Sequence, residues 1–269
     1  MRIAMTFLAV LLAGSTLAAD RWETGTFCDD DGALTTCNEL VHGTLQTGHD
    51  LEGPSGTPDR DWAVVQTRAR HSYEARVRSN TLVWDGPTCL SNCSRLDRVD
   101  AAGTILTAGT YPGAGVGAGG TFRSTVVVRW LATATEKQYL RVVGLLSSGE
   151  SAADQYDLEF FDTTAFVPRF NNTATQVTVL IVQNTTPDLV TGSIRFQNAD
   201  GDVVHTAALS VTGHGVQLLN TASVPALAGL SGSIAIAHNG GYGALAGKAV
   251  AIEPETGFTF DTALELLPR

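Results

Sequence analysis

Lysine is nearly missing from this chain. Only Lys137 and Lys248 occur, and 17 Lys plus Arg face 27 Asp plus Glu, for a net charge of −10. An acidic chain without a basic run is repelled by phosphate backbones, so nucleic acid is excluded as a partner. Aromatic residues are only 7%, few for the aromatic-lined cleft of a glycosidase. Long apolar runs are missing as well. Ile3 to Leu12 falls short of the roughly 20 residues that span a bilayer, and no later stretch is longer, so no membrane span is expected. No amphipathic helix follows it.

That short run has a different use. Arg2 precedes it and Leu17-Ala18-Ala19 ends it with small residues. This order predicts a secretory signal peptide over 1–19, and hence a secreted or periplasmic protein. Four cysteines occur, at Cys28, Cys37, Cys89 and Cys93. In an exported protein an even count reads as disulfides. Of the three possible pairings, Cys28–Cys37 and Cys89–Cys93 are favoured, because each pair is close in sequence and closes a turn-rich loop. Zinc fits these spacings poorly, and no histidine lies near either pair.

Motifs with built-in chemistry are scarce. Gly115-x-Gly117-x-x-Gly120 matches a dinucleotide fingerprint by letter, but a strand rather than a helix follows it. No Gly-x-Ser-x-Gly elbow and no His-x-x-x-His pair occurs. His205 and His214 flank a hairpin-like stretch and lack a third metal ligand. Dispersed carboxylates for a hydrolase stay open, since they need only meet in space.

What is present is β periodicity. Thr121 to Leu131 carries a β-branched run, Gln176 to Gln183 encloses Val-Thr-Val-Leu-Ile-Val, and Ser193 to Gln197 and Gly232 to Ala237 alternate apolar with small or polar residues. Turns at Asp85-Gly86-Pro87, Asp200-Gly201 and Asn239-Gly240-Gly241 separate such runs. Short strands at this spacing predict an all-β protein of two tandem β-sandwiches. The expected organisation is a disulfide-closed segment over 20–37, a first sandwich over 38–164, and an immunoglobulin-like sandwich over 165–269. On the strand opening at Asp59-Arg60-Asp61-Trp62, the two Asp share one face, and Trp62 and Val64 are expected on the other, in the core. Phe258 and Phe260 share a face of a late strand. Lys248 is expected to pair with a nearby carboxylate such as Glu253.

The first sandwich resembles the bacterial pre-peptidase C-terminal family, a jelly-roll-like accessory domain. The resemblance rests on Asn38-Glu39, Asp59-Arg60-Asp61-Trp62, Leu96-Asp97 before a turn at Gly103, Tyr139-Leu140-Arg141-Val142 and Tyr156-Asp157-Leu158. The insertion Gly113–Gly120 and the Cys89–Cys93 loop depart from the pattern. Some relatives bind calcium, and the resemblance implies a site at Asn38, Glu39, Asp59 and Asp61. The alternative is a solvated acidic loop with turn-capping Asp side chains. Such domains accompany catalytic units, and none stands beside this one. The expected function is an exported non-catalytic module contacting an extracellular polymer or protein. A secreted hydrolase and an accessory subunit of a secreted protease are the alternatives.

Overall fold

The computed structural model describes residues 35–49, 51, 60–79, 82–85, 88–91, 94–110, 120–122, 125–144 and 155–269. The signal segment, Cys28, Cys93 and Asp59 lie outside the described residues. In chain order the first strands are β1 (Glu39–Leu40), β2 (Leu45–His49), β3 (Arg60–Thr67), β4 (Ser72–Ser79), β5 (Leu82–Asp85) and β6 (Thr88–Ser91). Then come β7 (Ser94–Val99), β8 (Ile105–Ala108), β9 (Gly120–Phe122), β10 (Thr125–Leu131), β11 (Glu136–Gly144) and β12 (Tyr156–Asp162). The second half holds β13 (Ala165–Asn171), β14 (Val177–Asn184), β15 (Val190–Gln197), β16 (Val203–Val211) and β17 (Val216–Asn220). It ends with β18 (Ser231–His238), β19 (Leu245–Glu253), β20 (Phe258–Ala263) and β21 (Glu265–Leu266).

The protein is all-β. One pair of layers has strand orders β1-β3-β11-β7-β8 and β10-β4-β12-β2, and the other has β16-β15-β18-β13-β21 and β17-β14-β19-β20. Each pair encloses its own apolar core. Val65, Val77, Leu96, Val126 and Leu140 lie in the first; Phe170, Leu180, Ile194, Phe196 and Ile234 lie in the second. A small sheet, β6-β5-β9, stands apart from the four layers. Alternation drives the packing, since successive side chains point to opposite faces. Tyr73, Ala75 and Val77 line the first core from β4, as expected.

On β3 the faces are the reverse of the expectation. Ala63 and Val65 enter the main core with Asp61 buried on their side, while Trp62 packs on the outer face with Val99 and Tyr139. Trp62 is still buried, because the Arg141 guanidinium lies 5.5 Å from its ring and Gly103 closes over its edge. An inward Asp61 is tolerated because the Tyr156 hydroxyl, itself in the core, donates to its carboxylate at 2.5 Å. Trp62 and Asp61 thus exchanged their expected sides through a tertiary hydrogen bond.

The two sandwiches are joined directly. Only Thr163 and Thr164 separate β12 from β13, and both are fully buried. On the outer face of β4, the fully buried Glu74 is held by Arg76 and Arg129. The turn after β18 rests on this cluster: a Cβ at Gly241 would fall 2.6 Å from a Glu74 oxygen. Close approach, not turn geometry, is what demands glycine there. Beside it, Tyr242 packs on Phe161 with centroids 5.0 Å apart, and the Arg269 guanidinium lies 4.8 Å from the Tyr242 ring. His42 Nδ1 accepts from the Asp162 N–H at 2.8 Å. Its Nε2 lies 3.2 and 3.1 Å from the Leu267 and Pro268 carbonyls, so the proton sits on Nε2.

His238, at the end of β18, sits in the same interface and is 1% exposed. Neither ring nitrogen meets a hydrogen-bond partner, although the Thr163 and Gly240 backbones and the Glu74 and Arg129 charges are near. Burial, above all, pushes its pKa down to about 4.

Candidate functional site

Of the residues expected to hold calcium, the structure describes Asn38, Glu39 and Asp61. Asn38 is buried, and its Oδ1 accepts from Gln46 Nε2 at 2.8 Å. Glu39 follows it on β1 and is exposed. Asp61 is engaged with Tyr156 inside the core. Among the described residues no three His, Cys, Asp or Glu side chains gather as metal ligands. Asp59, the fourth member of the set, lies outside the described residues. Cys37 is disulfide-bonded; Cys89 lies on β6.

Other buried carboxylates serve structural partners. Asp97 binds Arg95 at 2.7 Å and Arg141 at 3.2 Å. Asp162 binds His71 at 2.7 Å, and Glu159 binds Arg78 at 2.8 Å. Lys248 pairs with Asp261 at 2.5 Å rather than with Glu253. The reason is parity: five positions separate Lys248 from Glu253 along β19, which puts them on opposite faces, whereas Asp261 stands diagonally across from Lys248 on β20.

The concave feature with mixed chemistry lies at the open edge of the second sandwich. β20 is the last strand of its sheet, paired only with β19 among the described residues. Its Phe258 and Phe260 share the side that faces between the two layers, in register with Glu253 and Ala251. On that side Thr178, one strand further in, is buried. The rings nevertheless stay 67% and 44% exposed. Arg169 reaches across from β13 and sets its guanidinium 5.5 Å from the Phe260 ring. The pairing of β13 with β18 breaks between Val167 and Phe170, where Pro168 has no N–H to offer the ladder. The shift in register at this point places Arg169 at the seam.

The seam is a cleft of ≈ 200 Å³ lined by Arg169, Gln176, Ala251, Glu253, Phe258 and Phe260. Two rings two residues apart repeat at about 6.6 Å, the side-chain period of an extended chain. A guanidinium and a carboxylate flank them, and the outer backbone edge of β20 is open. Such an arrangement can accept an added strand: main-chain groups pair with the edge while alternate side chains enter between the layers. The expectation that Phe258 and Phe260 share a face is met. Their exposure was not legible, because an apolar strand face predicts burial. Arg169 was missed as a site residue; the Pro168-Arg169 break in an otherwise apolar strand was its only signal. No protein-family model matches this chain, and no curated protein matches it.

Proposed function

We propose that this is an exported, non-catalytic contact module that holds an extended polypeptide of a cell surface or matrix in the open seam of its second sandwich. The observation that carries this is the exposed Phe258 and Phe260 pair on an edge strand, with Arg169 stacked on one ring. Exposed aromatic rings beside an open backbone edge suit strand addition, and the ring spacing matches a peptide's own period. Export follows from the 1–19 segment, which reads as a signal peptide. The first sandwich serves as an accessory scaffold in the manner of the pre-peptidase C-terminal family that it resembles. The structural pairing of Glu74, Asp97 and Glu159 with arginines, and the hydrogen bond between Asp162 and His71, support a non-catalytic role.

Immobilised peptides with apolar residues at alternate positions, alongside a panel of insoluble polysaccharides, test this. The protein is expected to be retained on peptides. The double variant F258A/F260A should bind about 30-fold more weakly, the loss typical of a central aromatic anchor. Retention on polysaccharide alone, or unchanged peptide binding by the variant, overturns the proposal. So does turnover of a peptide or glycan substrate that one carboxylate substitution abolishes.

A further inference from the structure

The sheet that bears the seam has a second unusual side. Register across β17, β14, β19 and β20 aligns Leu218, Ile181, Lys248 and Ala263 in one row, and Asn220, Val179, Val250 and Asp261 in the next. Val177, Ile252 and Thr259 form a third. Leu180 and Ala249 in the intervening rows are buried, so these rows form the outer face. Antiparallel sheets with one solvated face carry polar residues outward. Here Val216, Leu218, Ile181, Val179, Val177, Val250 and Ile252 make that face aliphatic. None of the seven is buried, and Val216 and Leu218 are 56% and 67% exposed. The run Val-Thr-Val-Leu-Ile-Val in β14 is the pattern of a strand covered on both sides, yet among the described residues only one side is covered.

We propose that a second copy of this chain covers it, the two outer faces packing sheet on sheet. Electrostatics permits this partner at this face alone. Each copy carries a net charge of −10, so two copies repel over most of their surfaces. The charged side chains of this face, Lys248 and Asp261, neutralise each other. Two such faces therefore meet at little electrostatic cost, without the opposite charge that a basic partner would look for. Geometry agrees. Four strands at about 4.8 Å and about six residues of about 3.3 Å give a face of roughly 400 Å² in plan. That is patch-sized for an interaction site. Side-chain relief and the rim bring two copies towards the lower bound of about 1,200 Å² for a specific interface. Gln183, Asn220 and Thr259 supply a polar rim around the aliphatic centre, the usual anatomy of such contacts. The flat face is complementary to its own copy under a two-fold axis, and face-to-face packing about 10 Å apart is the arrangement each sandwich already uses internally. The seam opens on the other side of the same sheet, so a dimer would present two seams, and bind a repetitive polymer with avidity.

Sedimentation equilibrium of the full chain over roughly 1–500 µM is the test, with thermal unfolding followed at the same concentrations. The chain of 28.2 kDa is expected to approach twice that mass, with an unfolding temperature that rises with concentration. Leu218→Lys places a cation on an exposed side chain and is expected to leave a monomer with unchanged circular dichroism. Thr259→Arg, at the rim, should weaken association by about tenfold in the same assay. A wild-type monomer throughout the range overturns the proposal, as does a dimer that Leu218→Lys leaves intact. F258A/F260A is expected to dimerise normally, which separates this inference from the peptide-binding role.

Discussion

Lowering the pH from 6.5 to 5 is expected to cost the folded protein about 2 kcal/mol through His238 alone. The imidazole is buried between the sandwiches, and burial sets its pKa at about 4 rather than the ordinary 6.5. Above pH 6.5 it is neutral in both folded and unfolded chains, and stability is whole. As pH falls below 6.5 the unfolded chain takes up a proton that the folded chain refuses. Stability declines until about pH 4, where the folded state protonates too, for a total near 3 kcal/mol. The nearby Glu74 carboxylate favours the charged ring and Arg129 opposes it; desolvation outweighs both. Between pH 5 and 6.5 few carboxylates titrate, and a variant at His238 separates its share from that of the other five histidines. Urea unfolding at pH 7 and pH 5 should show the loss in the wild type and a much smaller one in His238→Gln. An equal pH dependence in both proteins would refute the assignment.

Removing the Glu74 carboxylate should cost about 3 kcal/mol. Glu74 is fully buried and holds two guanidinium groups, of which Arg76 is 18% and Arg129 37% exposed. Deleting the anion strands both cations under the Gly241 turn, and an uncompensated charge in a covered site is what makes broken ion pairs costly. Part of Arg129 reaches solvent, which moderates the loss. Glu74→Gln keeps shape and hydrogen-bond acceptance and should lose less than Glu74→Ala. Because the cluster lies between the sandwiches, calorimetry of Glu74→Ala is expected to resolve two unfolding transitions where the wild type shows one. A single transition at the wild-type temperature would mean that Glu74 does not join the two halves.

The strand content was legible because β-branched runs and turn residues act locally. β14, β15, β18 and the Asp200-Gly201 turn fall where alternation puts them. What failed was whatever depends on a distant partner. Asp61 turns inward because a tyrosine 95 positions away donates to it, and nothing near Asp61 announces that. Lys248 chooses Asp261 by strand parity, which becomes usable only once β19 and β20 are known to pair. The seam was half visible: two phenylalanines at alternate positions read as a core face, and nothing near them in sequence announces their exposure. The interface around Glu74 and Tyr242 was invisible, since its residues come from six separate parts of the chain.

Hydrogen exchange with and without a bound peptide that carries apolar residues at alternate positions tests the central claim most directly. Amides of Phe258–Ala263 are expected to gain protection as the peptide pairs with the free edge of β20, while β2 and β3 stay unchanged. Protection confined to the first sandwich, or no change at β20 with the peptide bound, would contradict it.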